Sequence, residues 1–181
     1  MDMNTTGALL MTNDGLFAHH VTNPTSVVNG VAFTVKKTYR AKCMGVPSSE
    51  DLHLLRTGVD LGGGLGLSRP AHVTMDGPPP GSLPLPPGTG GTSLLTLEIG
   101  EGKNRQVRRM LHAVGHGCME LTRVKVGGVE LGELEVGEWR ELEEEEVRGM
   151  GYEVRRLEGG GGEGRERRRG RRQERDKDSR R

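Results

Sequence analysis

The 181-residue chain predicts an α+β (or α/β) domain built on a mixed sheet. Three observations carry that prediction. Stretches of strand length with alternating or β-branched apolar residues recur along the chain. Between them lie segments with apolar residues at helical spacing behind an aspartate or serine cap. Glycine and proline punctuate the joins, and strands alternating with helices of this length build a layered domain around a sheet.

In order, "ALLMT" (8–12) reads as a short buried strand that ends in the Asn13-Asp14-Gly15 turn. Asp14 can cap the helix "GLFAHHVTNP", which Pro24 terminates. Residues 31–45, "VAFTVKKTYRAKCMG", read as one strand, and "SSEDLHLLRTGVDL" as a second helix with a serine cap and early acids. "RPAHVTMDG" follows as a strand. The stretch 78–91, "PPPGSLPLPPGTGG", suits neither helix nor central strand and is expected to be a loop insertion within one domain. "TSLLTLEIGEG" is a strand that leads into a basic helix, and "CMELTRVKVGGVEL" and "GELEVGEWREL" read as two more strands.

Composition sets the limits of the compact part. With 30 glycines and 32% hydrophobic residues, some of the chain cannot be packed. The Gly/Arg-rich stretch 158–181 accounts for much of this: from Gly159 onward it has ten Lys/Arg, five acids and no apolar side chain. It is expected to be disordered, leaving 1–157 as the domain. Residues 1–158 hold 16 Lys/Arg against 20 Asp/Glu, so net charge does not advertise a polyanion partner; distribution does. Nine glutamates lie between Glu130 and Glu146, whereas cations cluster at 36–42 and 103–109. Cys43 and Cys118 are isolated, which fits a reducing compartment. No apolar run is long enough to span a membrane and no secretory signal stands at Met1, so a soluble cytoplasmic or organellar protein is expected.

The segment "EGKNRQVRRMLHAVGH" (101–116) concentrates the chemistry. On a helix, Arg105, Arg108, Arg109 and His112 fall on one side and Val107, Met110, Leu111 and Val114 on the other. Solvated faces mix in glutamate for i, i+4 pairing, yet no acid lies between Glu101 and Glu120. The cations are mostly arginine, whose planar fork suits phosphate oxygens. Asn104 is the expected N-cap and Gly115 the expected C′ residue. Tyr39 stands among Lys36, Lys37, Arg40 and Lys42, the composition of a stacking platform beside phosphate contacts or of an ordinary strand aromatic. His112 and His116 have a metal-capable spacing, but no nearby acid, cysteine or third histidine completes a site, and no metal is expected. "DLGGGLG" lacks the Gly-Lys-Ser/Thr of a phosphate loop and reads as a turn; Glu143–Glu146 reads as a solvated end.

Taken together, "DMNTTGALLMTNDG", "KTYRAKCMG" and "EGKNRQVRRMLHAVGH" with "LTRVKVGGVELGELEVGEWREL" resemble, in order, the RsuA-like ribosomal RNA pseudouridine synthase family. The resemblance runs from Asp2 to about Glu143. It implies the pseudouridine synthase catalytic fold, a mixed, mainly antiparallel sheet flanked by helices. It also implies isomerisation of uridine to pseudouridine in ribosomal RNA without metal or cofactor, by a chain expected to be monomeric. Asp2 matches the family's essential aspartate, Tyr39 the tyrosine that packs on the target base, and Arg108 the basic residue that pairs with the aspartate. Lys37, Arg40, Lys103, Asn104, Arg105, Gln106 and Arg109 are then the candidate RNA-binding residues.

The family motif normally begins with Gly-Arg-Leu before the aspartate, and members usually carry an S4-type RNA-binding domain upstream. Here only Met1 precedes Asp2. The expectation is a truncated member lacking its first strand and S4 domain. Two readings follow: an active synthase, or a catalytically impaired fragment that binds RNA without modifying it.

Overall fold

The computed structural model describes residues 2–23, 26–28, 31–83, 86–87 and 90–153. Its centre is a six-stranded sheet of β1 (Thr6–Gly7), β4 (Lys37–Met44), β5 (His72–Gly77), β6 (Thr92–Ile99), β7 (Cys118–Val126) and β8 (Val129–Glu130). The order is β1-β7-β4-β6-β5, with β8 folded back on β7. β1 runs parallel to β7 and the other pairs are antiparallel, so the sheet is mixed and mainly antiparallel, as the resemblance implies. A separate hairpin joins β2 (Ser26–Val28) and β3 (Val31–Phe33).

The helices form where their caps predict. Asp14 caps α1 (Gly15–Thr22) by accepting from the Leu16 and Phe17 amides. Ser48 and Asp51 close a reciprocal capping box at the start of α2 (Ser49–Thr57). The basic helix is α3 (Gln106–Ala113), and Glu143 with Glu146 closes a second capping box at α4 (Glu144–Gly149). The Glu143–Glu146 run is therefore a helix start, with Glu146 paired to Arg140 at 2.6 Å.

Strict alternation along β6 sends Ser93, Leu95, Leu97 and Ile99 inward, where they meet Ala41 and Cys43 of β4 and Leu52 and Leu55 of α2. Val107, Met110 and Leu111 of α3 complete this main core. A smaller cluster of Phe17, Val21, Val35, Val126, Val129 and Met150 ties α1 and α4 to the far end of the sheet.

Four expectations need correction. The strand at 8–12 does not form; only Thr6–Gly7 pairs with β7. Residues 31–45 make two strands in two different sheets, because the chain leaves the β2–β3 hairpin before joining the main sheet at Lys37. "CMELTRVKVGGVEL" is itself a hairpin, β7 and β8 turning at Gly127-Gly128, and no strand runs through 132–138. Asn104 is not the cap of α3: that position belongs to Arg105, in left-handed backbone with no side-chain cap. Gly115 does follow the C-cap Val114 with φ +84°. The described part of 78–91 contains no helix or strand, and the stretch 158–181 lies outside the described residues.

Candidate active site

Asp2 reaches the sheet through a turn that it builds itself. Its Oδ1 accepts from the Asn4 amide at 3.0 Å and the Thr5 hydroxyl at 2.7 Å, and Thr5 N closes on the Asp2 carbonyl at 3.1 Å. This is the Asx geometry in which an aspartate holds its own following backbone. Two residues later, Thr6 and Gly7 pair with Thr122 and Arg123 of β7, and Ala8 N continues the ladder to the Arg123 carbonyl at 2.8 Å. Gly7 lies at φ +101°, where any Cβ would run into the Arg123 backbone. A glycine is therefore required for the segment carrying Asp2 to lie against β7.

Arg108 approaches from α3. Its guanidinium donates to the Cys118 carbonyl at 2.9 Å and to the Asn4 carbonyl, so it clamps the Asp2 turn to the start of β7. Its Nε is buried without a hydrogen-bond partner and lies 3.7 Å from Asp2 Oδ2, an electrostatic contact rather than a hydrogen bond. Burial pushes the Asp2 carboxyl pKa up. The Thr5 and Asn4 hydrogen bonds, with the nearby Arg108 and Arg105 charges, outweigh it and leave the pKa lowered overall. Asp2 is an ionised carboxylate at neutral pH.

Asp2, though not Arg108 behind it, borders a cavity of about 370 Å³ to which β4 contributes Lys37 and Tyr39 and β7 contributes Leu121 and Arg123. Residues two apart on a strand share a face. Tyr39 therefore turns inward with Lys37 and Ala41, half-buried against the main core. The β4–β7 register slips between Thr38 and Tyr39, and such irregularities re-aim side chains at functional sites.

The same parity sorts the candidate RNA-binding residues. Arg40 is exposed on the opposite face of the sheet from Tyr39, so it stands away from the cavity. Lys37 is only 7% exposed and donates to the Val21 carbonyl at the end of α1 at 2.8 Å, so it belongs to the cavity wall rather than to a phosphate-binding surface. Burial, and then the Arg123 guanidinium, pull its pKa from 10.5 to about 8.

Gln106 is buried as well. Its amide donates to Glu101 at 2.6 Å and accepts from Lys103 N at 3.0 Å, which fixes the turn before α3. Lys103 donates to the Leu65 and Leu67 carbonyls, and Arg109 to those of Asn104 and Leu61. Both brace the 61–67 loop. Asn104 and Arg105 remain exposed at the cavity rim.

Two residues of the site escaped the sequence reading. Thr5 had a local signal, lying three residues after an aspartate. Arg123, whose Nε donates to the Ala8 carbonyl at 2.8 Å, shares the parity of buried Leu121 and could have been placed inward on that ground. His116 has no part in the cavity: its ring donates to the Met44 carbonyl and faces Asp51 at 3.3 Å, joining β4 to α2.

Known proteins resemble this chain in sequence and in fold. The family described as RNA pseudouridylate synthase matches residues 1–113. The Ribosomal large subunit pseudouridine synthase E of Vibrio parahaemolyticus is 35% identical over 79% of this chain and 58% of its own. The Ribosomal large subunit pseudouridine synthase B of Bacillus subtilis is 37% identical over 82% and 54%. The Ribosomal small subunit pseudouridine synthase A of Escherichia coli is 32% identical over 81% and 55%. A crystal structure of a pseudouridylate synthase superposes with a TM-score of 0.60 at 27% identity, covering 77% of this chain and 52% of that one. The chain thus spans little more than half the length of these relatives. Because the family match extends from the Asp2 turn through the whole of α3, it includes the carboxylate, the tyrosine and the arginine together, and the chain belongs to the RNA pseudouridylate synthase family.

Proposed function

We propose that the protein isomerises uridine to pseudouridine in ribosomal RNA, with Asp2 acting on a nucleotide turned out of its helix. The observation that carries this reading is an ionised, pre-oriented carboxylate beside a cavity that also exposes a tyrosine ring. A uracil stacked inside a helix is out of reach, so the base has to leave the stack and be held by a flat partner. Tyr39 supplies that partner and a hydroxyl near the reacting edge.

Substrate and product are isomers. The bond from C1′ to N1 breaks, the bond from C1′ to C5 forms, N1 gains a proton and C5 loses one. The reaction consumes no electrons and no water, and it calls for no redox cofactor. Asp2 serves as nucleophile or base, and Arg108 keeps it charged and aimed. The 3.7 Å gap between the pair is one that a bound substrate can close, since catalytic contacts often tighten only in the complex. The arginine-rich start of α3 supplies the salt-dependent attraction to the RNA backbone.

The test is release of tritium from an rRNA fragment carrying 5-tritiated uridine. The wild type should release it, and Asp2→Asn should bind the same RNA with no release. Wild-type protein that binds but releases nothing, even in excess over RNA, would overturn the assignment and leave an RNA-binding fragment.

A further inference from the structure

A second cavity, of about 430 Å³, is lined by Arg108 and shares Arg105 with the first. One wall is the basic face of α3 with Arg105, Arg108, Arg109 and His112; the other is the glycine turn after Asp60 and the start of β7 at Gly117 and Cys118. The catalytic reading uses none of this space except Arg108.

Its charge is one-sided. Three guanidinium groups border it against a single acid, Asp60, whose Oδ1 is already engaged by the Gly62 amide at 3.0 Å. Arg108 and Arg109 are held in place by main-chain carbonyls; Asp2 offsets Arg108 from outside this cavity and Asp60 is the one acid within it, so the three guanidinium groups leave a positive excess. Arg105 and His112, by contrast, are exposed, and no protein group among the described residues hydrogen-bonds or ion-pairs with either side chain.

Arg105 is the informative residue. It lines both cavities. It is also the single non-glycine residue among those described with positive φ, at φ 51° and ψ 34°. Left-handed backbone strains a side-chain-bearing residue, and such strain concentrates at ligand clamps. Here it aims an unpartnered cation at the boundary between two voids, where a chain of linked phosphates would cross from one to the other.

We propose that the second cavity is a nucleotide subsite: it takes the phosphodiester and base adjoining the target uridine on the same RNA strand, with Arg105 bridging the two cavities. This rests on the synthase reading for the identity of the first cavity's occupant. Arg105 binds the intervening phosphate, Arg108 and Arg109 supply the field, and His112 edges the space for the neighbouring base.

The experiment uses rRNA fragments in which each phosphate flanking the target uridine is replaced, one at a time, by an uncharged methylphosphonate. Binding is measured for the wild type and for Arg105→Asn, a substitution chosen because asparagine tolerates left-handed backbone and caps helices. One replacement should weaken wild-type binding about tenfold, as expected for a lost charge-assisted contact. The same replacement should leave Arg105→Asn nearly unchanged. His112→Ala should lose affinity for that fragment only when the adjoining base is present, compared with an abasic neighbour. If every flanking replacement is neutral, or if the losses from replacement and mutation simply multiply, the subsite is refuted. Conversion of the unmodified fragment is scored in the same samples. Conversion without coupling overturns the subsite alone, whereas coupling without conversion upholds it and removes the synthase assignment.

Discussion

Replacing Lys37 by methionine should change how the stability of this protein depends on pH. The ammonium sits 7% exposed beside Arg123, and its pKa falls from 10.5 to about 8 on folding. A lysine with a lowered native pKa binds fewer protons folded than unfolded, so the slope of unfolding free energy with pH is positive between those two values. Below the native pKa the charged amine imposes its full penalty. At about 1.4 kcal/mol per tenfold change in proton affinity, the difference between 10.5 and about 8 corresponds to about 3 kcal/mol. The penalty is relieved as pH rises through the native pKa and is gone above the unfolded one. Urea unfolding of the wild type at about pH 7 and about pH 10 should therefore show 2 to 3 kcal/mol more gain than Lys37→Met shows, roughly 1 kcal/mol being the resolution of the comparison. The subtraction cancels every other group that titrates in that window. Parallel pH curves for the two proteins would mean that the Lys37 amine is hydrated, and the placement of Lys37 in the cavity wall would be wrong.

Two further outcomes follow from the same geometry. Thr5→Val removes the 2.7 Å hydroxyl contact to Asp2. Because that bond helps hold the carboxyl pKa down, the acid limb of kcat should move to higher pH, and kcat at neutral pH should fall about tenfold, the loss of one hydrogen bond to a charged group; an unshifted limb would show that Thr5 does not tune Asp2. Gly7→Ala forces a Cβ into the Arg123 backbone at φ +101°, so it should lower stability by more than about 1 kcal/mol and depress kcat at 25 °C, roughly where the protein is still folded; full activity would show that β1 is not needed to place Asp2.

Much of the fold was readable locally. The caps at Asp14 and Ser48 start helices where they stand, because the side chain that satisfies the first amides sits in the sequence beside them. The alternation of β6 declares its buried face just as directly. The basic patch was legible as charge but not as function. Three of its members, Lys37, Lys103 and Arg109, donate to main-chain carbonyls of distant segments at Val21, Leu65 and Leu61. Parity along β4 could have separated Arg40 from Tyr39. The left-handed turn at Arg105 had no such signal, since arginine has no preference for that backbone.

The pairing of β1 with β7 joins positions 116 apart in the chain through two strand residues, reinforced by the side chains of Arg123 and Arg108. Contacts of such long sequence separation are slow to form, since closing the loop precedes any reward. So short a seam also opens more easily than the sheet behind it. The Asp2 carboxylate should consequently arrive last during folding and leave first under stress. Hydrogen exchange at Ala8 would outpace that at Leu97, and chemistry would be silenced while the rest of the sheet stood intact.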